Sequence, residues 1–576
     1  MCGILGGTNR QWDYRSAIAT IHHRGPDAND VVNLDHVTLA FSRLSIIDLT
    51  SFADQPMSSS DQDIWVVFNG EVYDYLSVKR ELVQRGFQFK THSDTEVLMN
   101  AYYAWGDKFV EYIDGMFAAA IYDKRVNKLK LFRDRVGIKP LYYFYDGHQF
   151  AFSSELKGLQ KLLEKECLEI DPTAAYDYLT YLYVPEPKTL YKKVYKLPPA
   201  HQLTLDLSSN SIEAIFNYWS LQVDQQDISI DRACDELRDV ISRAVKSQMI
   251  SDVPVGFFLS GGMDSSVVVA EASKIAKKIK TYSIGFDKKE HSEVEYANIV
   301  SDHYRTEHCV KVFTSDEIDS LLGQLKHWYD EPFADTSAFP SYKVAELARK
   351  DVTVVLTGDG GDEVFGGYKW YSKFKNRRRT VSNKTLHHYF SVMRGKTTKG
   401  TLLNRSLFKA QLMVADEFEF YTKLMGGLVS SEKQEYAKQL GIPKDYDDYW
   451  HFRKHYRRDL PLLTRLQYLD FHTYLPGDIL TKVDRVTMAV SLEARVPLLA
   501  KEVIEFSFSL PEEIRYYSGE LKGLLKKAYR HELPDLIIDR SKKGFSIPSA
   551  YLSHEKETKQ EQVLKKLWSP ELGSLR

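Results

Sequence analysis

The sequence has few of the features that mark secreted, membrane-spanning or nucleic-acid-binding proteins. Four cysteines in 576 residues are too few for a disulfide framework and indicate a reducing compartment, the cytoplasm. Apolar runs such as Val253–Leu259 are far shorter than the roughly 20 residues that span a bilayer. The first residues lack the basic stretch and long apolar core of a signal peptide. We therefore expect a cytoplasmic protein with no membrane span.

The chain also lacks an excess of charge of either sign. Its 77 Lys and Arg and 79 Asp and Glu give a net charge of −2, so no global positive field attracts nucleic acid. Apolar residues make up 43% and charged residues 27%, which is typical of globular proteins and excludes overall disorder. The length favours about four domains at ~150 residues each, or fewer if large α/β units are present.

Up to about residue 190, short β-rich segments alternate with turn residues. Strands are predicted over Ile64–Phe68, Phe117–Tyr122 and Lys128–Arg133, with helices near Leu76–Gln84 and Glu96–Trp105. This mixture predicts a layered α+β domain over residues 2–195. Four prolines between 185 and 199 and a polar stretch at 208–211 then favour a linker over residues 196–229.

From about residue 230 to the end we expect a second domain, 230–576, in which strands and helices first alternate. That order predicts right-handed crossovers and a parallel, doubly wound sheet with its ligand site at the carboxyl ends of the strands. Residues after about 370 are predicted to be mainly helical. The predicted strands are Val253–Leu259, Lys280–Phe286, His308–Phe313 and Val352–Leu356, and the helices are Asp264–Ile279, Val294–His303, 316–329 and 338–349.

The first of these strands runs directly into a glycine- and serine-rich turn. Its residues are Ser260, Gly261, Gly262, Met263, Asp264, Ser265 and Ser266, and a helix starts within them. Glycines let backbone N–H groups approach an anion closely, and the helix amino terminus adds partial positive charge. Asp264 suits a metal that bridges phosphates. An ordinary serine-capped turn is the alternative, and the missing lysine disfavours a Walker A loop.

A second glycine-rich turn follows the last predicted strand. It reads Thr357, Gly358, Asp359, Gly360, Gly361, Asp362 and Glu363. Its carboxylates suit Mg²⁺ and polar substrate groups, although in isolation the turn could simply be solvated.

Cys2 is the remaining unusual residue, because removal of Met1 would leave its thiol and a free α-amine on one residue. The amine can then serve as general base for the thiol. Four short motifs follow in order: Arg24–Asp27 (RGPD), Arg43–Ile46 (RLSI), Asn69–Tyr73 (NGEVY) and Ser93–Glu96 (SDTE).

These motifs together resemble known families. SGGMDSS resembles the PP-loop of N-type ATP pyrophosphatases, and the ordered set around Cys2 resembles class II glutamine amidotransferases, which are N-terminal-nucleophile hydrolases with layered antiparallel sheets. A glutaminase followed by a PP-loop synthetase is the layout of the glutamine-hydrolysing asparagine synthetase family, and the resemblance covers nearly the whole chain. Further matches include Arg133–Leu141, Lys482–Arg485, Ser491–Pro497 and Lys542–Phe545.

The resemblance implies two coupled sites. Cys2 would release ammonia from glutamine, and ATP with Mg²⁺ would adenylate a carboxylate acceptor, aspartate first, with ammonia passing internally and displacing AMP. It leaves a homodimer open. The implied site residues are Cys2, Asn69, Gly70, Lys542 and Glu493 for catalysis; Arg43, Asn69, Glu71 and Asp94 for glutamine; Leu259, Ser260, Gly261, Gly262, Asp264, Ser265, Ser266, Ile284, Thr357 and Gly358 for ATP; Asp359, Glu363 and Arg495 for the acceptor; and Asp264 and Asp362 for the metal.

Two departures from the family pattern concern the acceptor. The best-characterised members of the family carry an arginine that helps to bind aspartate where this chain has Phe339, and Ala500 replaces a common aspartate. The phenylalanine pattern resembles family members that are thought to amidate sugar uronates in bacterial surface polysaccharides, although another basic residue could replace the arginine. Aspartate stays the first expectation and a uronate the second.

One local charge feature is hidden by the overall balance. Between Lys369 and Lys409 there are 12 Lys and Arg and no Asp or Glu, with Arg377–Arg379 at the centre. A solvated face is the ordinary interpretation, and a docking patch for an anionic acceptor is the sharper one. Two further functions stay open: a glutaminase with an inactive synthetase half, against which both intact loops argue, and a nucleic-acid-binding protein, which near-zero net charge disfavours.

Overall fold

The computed structural model describes residues 2–287, 292–314, 317, 321, 323–376, 384–397 and 401–541. The predicted catalytic residue Lys542, the predicted core of the basic segment at Arg377–Arg379 and part of the predicted helix 316–329 lie outside the described residues. Within them, no helix is long and apolar enough to cross a membrane.

Two antiparallel six-stranded sheets form the amino-terminal part. Their strands are β1 (Gly3–Gly7), β2 (Ala28–Asn33), β3 (Thr38–Arg43), β4 (Met57–Ser58), β5 (Ile64–Val72), β6 (Gly115–Asp123), β7 (Lys128–Arg133), β8 (Tyr142–Tyr145), β9 (Phe150–Ser153), β10 (Val194–Lys196), β11 (His201–Asp206) and β12 (Ser211–Asn217). The strand orders are β10-β8-β9-β1-β3-β2 and β12-β11-β7-β6-β5-β4.

A shared apolar core lies between the two sheets. Ile4 and Phe41 of the first sheet pack in one cluster with Val67, Ala118 and Leu131 of the second. Six helices accompany the sheets: α1 (Tyr14–Ala19), α2 (Tyr75–Gln84), α3 (Asp94–Trp105), α4 (Phe109–Tyr112), α5 (Leu156–Leu162) and α6 (Pro172–Tyr181). The predicted α+β domain with layered antiparallel sheets is therefore confirmed.

The predicted linker over residues 196–229 is wrong for most of its length. β11 pairs with β7 from Gln202–Phe132 to Asp206–Lys128, and β12 pairs with β11. Leu203 and Leu205 are fully buried, so these strands extend the second sheet. The prolines at 198 and 199 precede β11, and Ser208–Ser211 forms the turn between β11 and β12 and the start of β12, which explains why the stretch looked like a linker.

A parallel sheet forms the second part, in the order β15-β14-β13-β16-β17. Its strands are β13 (Val255–Phe258), β14 (Lys280–Phe286), β15 (Glu307–Phe313), β16 (Val354–Leu356) and β17 (Glu493–Arg495). Every pairing is parallel, as predicted. β17 was not predicted, because the segment is three residues long and two of them are charged.

Helices pack around this sheet and make up most of the other regular structure in the described part of the second domain. They are α7 (Ile230–Gln248), α8 (Met263–Ile275), α9 (Val294–Tyr304), α10 (Leu325–Tyr329), α11 (Ala338–Ala348), α12 (Gly361–Phe365), α13 (Lys369–Lys375), α14 (Lys384–Gly395), α15 (Leu402–Val414), α16 (Glu417–Met425), α17 (Gln434–Gln439), α18 (Trp450–His455), α19 (Leu462–His472), α20 (Thr481–Met488), α21 (Lys501–Phe508), α22 (Glu512–Arg515), α23 (Gly523–Ala528) and α24 (Asp535–Ile538), with a π-helix at Leu475–Leu480.

Candidate active sites

The Cys2 site lies where β1 meets β5 at the inner faces of the two sheets. Cys2 is buried, and its backbone N donates a hydrogen bond to Asn69 Oδ1 at 2.9 Å. Its Sγ lies 4.0 Å from the carbonyl oxygen of Leu44. Burial raises the pKa of the thiol, so a nearby base is needed to ionise it.

Asn69 and Gly70, two neighbouring residues of β5, lie beside Cys2. The Asn69 Nδ2 atom is buried and has no hydrogen-bond partner among the described residues, which leaves a donor for an incoming oxygen. A Cβ at Gly70 would lie 2.1 Å from the Met116 carbonyl oxygen, so only glycine fits the close pairing with β6. The predicted oxyanion-hole roles remain predictions.

Two of the predicted glutamine ligands form a buried acidic pair near Cys2. Asp94, at the first turn of α3, accepts a hydrogen bond from the Val72 N–H at 2.9 Å. Burial and the Glu493 carboxylate raise its pKa to about 6, although that hydrogen bond opposes the shift. Burial and Glu493 also raise the pKa of Glu71 well above its usual value. Such crowded carboxylates favour a cationic ligand.

Arg43 at the end of β3 is held by the loop that follows it. Its Nη1 donates to the Thr50 carbonyl at 2.7 Å and to Asp54 Oδ1 at 2.6 Å, and its Nη2 donates to the Asp48 carbonyl. The guanidinium is buried and oriented, as a carboxylate-binding fork requires.

The predicted phosphate loop lies between β13 and α8. Gly261 has φ +69°, and a Cβ there would lie 2.5 Å from the backbone N of Ala297, so the turn requires glycine. Ser265 Oγ lies 3.1 Å from Ser260 Oγ, and Ser266 Oγ donates to the Gly262 carbonyl at 2.7 Å. These contacts fix the loop at the amino terminus of a helix of 13 residues, where an anion is stabilised. Leu259 and Ile284 are buried beside it.

The second glycine-rich loop contacts the first. A Cβ on Gly358 would lie 2.6 Å from the Ser265 N, and one on Gly361 would lie 2.6 Å from the Asp264 Cγ. Thr357 begins this loop, where its N–H donates to the Arg495 carbonyl at 2.9 Å.

A lysine lies between the two predicted metal ligands. Lys522 Nζ is 2.6 Å from Asp362 Oδ1 and forms an ion pair with Asp264 Oδ2 as well. Against the effect of burial, these carboxylates raise its pKa, so the ammonium is retained. Because one ammonium contacts both carboxylates, the pair is within the span of a single cation. The two carboxylates could therefore hold a Mg²⁺ ion, which would supply positive charge beside the phosphate loop.

Glu363 lies in a buried position beside this pair. Burial and the Asp362 carboxylate raise its pKa to about 8, against a hydrogen bond from the Tyr368 hydroxyl at 2.5 Å. Asp359 N donates to Thr357 Oγ1 at 3.3 Å. A carboxyl group that titrates near neutral pH can accept or donate a proton during turnover.

Phe339 stands where the acceptor-binding arginine is absent, and its side chain packs in the interior of the protein. Phe339 is buried in an apolar cluster, with its ring centroid 6.5 Å from that of Trp328. A buried cation lies nearby instead: Lys482 Nζ is 2.9 Å from Asp335 Oδ2. Although burial opposes ionisation, Lys482 and Ser337 lower the pKa of Asp335 to about 2.

Arg495 does not extend toward Asp359 and Glu363, so the predicted acceptor-binding role does not fit its placement. Its Nε donates to Glu493 Oε1 at 2.6 Å, and its Nη2 lies 3.3 Å from Glu71 Oε2. Nη1 donates to the carbonyls of Gln248 at 2.8 Å and Ile250 at 2.6 Å. Glu493 contacts Arg495 directly, so these two of the three residues of β17 belong to the junction between the two predicted sites.

A second buried link joins the two parts at Arg24. Its Nη2 and Nη1 donate to the Asp484 carboxylate at 3.0 and 2.8 Å, and its Nε donates to the Cys2 carbonyl at 3.2 Å. Arg485 of the same helix is 2.8 Å from Glu155 Oε2. Cys2 and helix α20 are thus connected through one fully buried guanidinium.

Three of these residues had no assigned role in the sequence reasoning: Arg24, Lys482 and Lys522. Arg24 and Lys482 lie in the motifs Arg24–Asp27 and Lys482–Arg485, so the sequence did contain a signal for them. Lys522 lies in no quoted motif, and only the fold brings it to the metal ligands.

Comparison with known proteins decides the family. The family model described as "Asparagine synthase" matches residues 236–572, and the one described as "Glutamine amidotransferase domain" matches residues 1–219. The chain belongs to the asparagine synthase family. It is 36% identical over 565 residues to asparagine synthetase [glutamine-hydrolyzing] 1 of Bacillus subtilis, a match that covers 95% of this chain and 87% of that protein.

Two other members of the asparagine synthase family are of similar identity. The putative asparagine synthetase [glutamine-hydrolyzing] of Mycobacterium bovis is 32% identical, with 95% of this chain and 88% of that protein covered. The putative asparagine synthetase [glutamine-hydrolyzing] 2 of Methanocaldococcus jannaschii is 39% identical, with 64% and 76% covered. In this chain a glutamine amidotransferase domain is followed by an asparagine synthase domain.

Proposed function

We propose that this protein is a glutamine-dependent carbon–nitrogen ligase that converts a carboxylate into a carboxamide. One turnover consumes glutamine, ATP, water and the acceptor carboxylate, and yields glutamate, AMP, pyrophosphate and the carboxamide. The observation that carries the proposal is the connection of a Cys2–Asn69 site to a pair of nucleotide-type loops through buried ion pairs, in a chain that belongs to the asparagine synthase family.

In the amino-terminal site, the Cys2 thiolate attacks the glutamine carboxamide carbon. The α-amine of the mature chain takes the thiol proton, and Asn69 Nδ2 with the Gly70 N–H stabilises the oxyanion. Ammonia leaves and water hydrolyses the thioester to glutamate. Arg43 binds the substrate α-carboxylate, and Glu71 and Asp94 bind its ammonium.

In the second site, the loops at 260–266 and 357–363 bind ATP. Asp264 and Asp362 would hold Mg²⁺, which would neutralise phosphate charge. The acceptor carboxylate attacks the α-phosphorus and pyrophosphate leaves, with Lys542 balancing the developing charge. Ammonia then displaces AMP from the acyl carbon, and Glu363, whose pKa of about 8 suits it, removes a proton from the incoming nitrogen.

Aspartate is the proposed acceptor, because two relatives that each match 95% of this chain, at 36% and 32% identity, are named asparagine synthetases. Lys482 supplies a cation near Asp359 and Asp335, in a place where it can bind the acceptor's α-carboxylate. The buried Phe339 favours a second candidate, a uronate-type sugar carboxylate, which has no α-amino-acid group for an arginine to hold.

The test is a pyrophosphate-release assay with ATP and Mg²⁺, run with glutamine or ammonia against aspartate and several uronic acids. We expect carboxamide and pyrophosphate in equal amounts with one acceptor class only. Cys2→Ala should abolish glutamine-dependent turnover and keep ammonia-dependent turnover, and Asp264→Asn should abolish both. Glutamine hydrolysis without pyrophosphate for any acceptor would instead indicate a glutaminase.

A further inference from the structure

Helices α14 and α15 form a pair whose polar side chains face the rest of the protein. His387 Nε2 is 3.0 Å from Glu419 Oε1, and Arg394 Nη2 is 3.3 Å from Glu432 Oε1. On α15, Gln411 is completely buried and its Nε2 lies 3.4 Å from Ser431 Oγ. We call this helix pair the basic hairpin, residues 384–397 and 401–414.

The opposite faces carry exposed apolar residues. Tyr389, Val392 and Met393 have the spacing i, i+3, i+4, which places them on one face of α14; Tyr389 is 55% exposed. Lys396 is exposed in the turn directly after the helix. On α15, Leu402 and Leu403 are 82% and 62% exposed. On a surface helix of a soluble domain, leucines usually face the interior and glutamines face the solvent. Here Gln411 is buried and Leu402 and Leu403 are exposed.

Basic residues lie among these apolar ones. Arg405 and Lys409 are exposed and follow Leu402 at i+3 and i+7, on the same face of α15. The sequence from 364 to 415 contains no Asp or Glu. The outer surface of the basic hairpin therefore combines positive charge with exposed hydrocarbon.

We propose that this surface docks the protein on an anionic lipid bilayer, with Leu402, Leu403 and Tyr389 entering the interface and Lys396, Arg405 and Lys409 contacting lipid phosphates. Amphipathic helices with basic polar residues and exposed leucines bind in this way, and anionic headgroups attract nearby lysines and arginines. The net charge of −2 does not oppose the contact, because the positive charge is local.

The charges argue against other occupants. A symmetric dimer would place the basic hairpin of one copy against that of another, and like charges would face each other. Nucleic acid would satisfy the lysines and arginines through phosphates, but it gives no hydrocarbon environment for two leucines. An anionic bilayer satisfies both kinds of side chain.

The experiment is co-sedimentation of the full-length protein with vesicles of phosphatidylcholine alone or mixed equally with phosphatidylglycerol. We expect binding only to the mixed vesicles, with a loss at high salt. Leu402→Ser/Leu403→Ser and Lys396→Glu/Arg405→Glu/Lys409→Glu should each reduce the bound fraction at least tenfold. The matched control is Leu536→Ser, since Leu536 is 63% exposed on α24, outside the basic hairpin, and it should bind like the wild type.

Ammonia-dependent turnover without vesicles checks folding, because the basic hairpin contains none of the proposed site residues. The proposal is overturned if the wild type binds neither vesicle or if the variants bind as well as the control. It is also overturned if the protein binds a DNA duplex or RNA but not the vesicles. A leucine variant that changes only the oligomeric state in sedimentation analysis would overturn it as well.

Discussion

Arg495 Nη2 lies 3.3 Å from Glu71 Oε2, although Arg495 is in the parallel sheet and Glu71 is in an antiparallel one. The backbone carbonyl of Arg495 accepts the Thr357 N–H at 2.9 Å. One residue therefore contacts a proposed glutamine ligand with its side chain and the start of a proposed ATP loop with its backbone. A displacement of Arg495 would therefore alter contacts at both sites.

Replacing the Arg495 guanidinium should weaken glutamine binding. Its positive charge lowers the pKa of Glu71, so Arg495→Met would leave more Glu71 protonated and unable to bind the substrate ammonium. We expect the KM for glutamine to rise about tenfold, which corresponds to about 1.4 kcal/mol of lost binding free energy. We also expect more glutamate than carboxamide to be formed, because the junction is loosened.

Arg495→Lys keeps the positive charge, so its KM for glutamine should stay close to that of the wild type. Arg125→Met, which breaks a 2.8 Å ion pair with Asp123 within the glutaminase domain, is the control, and steady-state kinetics with both products quantified is the measurement. An unchanged KM in a folded Arg495→Met protein would contradict the assignment.

The acidic pair predicts a pH dependence for the glutaminase reaction. The pKa of Asp94 is raised to about 6 in the ligand-free site, and a bound ammonium favours the ionised form. Glutamine should therefore bind with full affinity above pH 6, and the affinity should decrease as the pH falls below 6. The KM for glutamine, measured by glutamate release from pH 5 to 8, should rise up to tenfold per pH unit on the acidic side.

Asp94→Asn removes this titration, so its KM should be high and should change less with pH near 6. The prediction fails if the variant keeps the wild-type pH profile.

The ion pairs of Lys522 predict that the free enzyme binds divalent metal weakly. Lys522 Nζ contacts both Asp264 and Asp362, so a metal must displace it. Lys522→Met should leave the two carboxylates without this cation and increase the affinity of nucleotide-free protein for Mn²⁺ at least tenfold, measured by calorimetry or by electron paramagnetic resonance.

Lys526→Met is the matched control, because Lys526 lies four residues further along and pairs with Glu520 at 2.7 Å at the surface. Equal Mn²⁺ affinity in the wild type and both variants would show that Lys522 does not occupy the metal position.

Regular periodicity made much of the fold predictable. The strand Lys280–Phe286 was predicted with its observed bounds, and the helix predicted at 338–349 is Ala338–Ala348. β17 was missed because Glu493 and Arg495 are buried charges, which hydropathy assigns to the surface. The Arg24–Asp484 contact joins residues 460 positions apart, and only packing of the two domains creates it.

Proton transfer at the second site should depend on Glu363. As a base it must be ionised, and its pKa is about 8, so carboxamide formation from ammonia should rise with pH through 8 when the concentration of unprotonated ammonia is held constant. Glu363→Gln should lower this rate at least 100-fold, the usual range for a lost general base, and leave glutamate release from glutamine unchanged.

Tyr368→Phe gives the sharper test, because the Tyr368 hydroxyl donates to Glu363 and lowers its pKa. Without that hydroxyl the pKa of Glu363 should increase, and the pH–rate profile should move to higher pH. A profile that stays in place in Tyr368→Phe, or a normal rate in Glu363→Gln, would assign the proton transfer to another group.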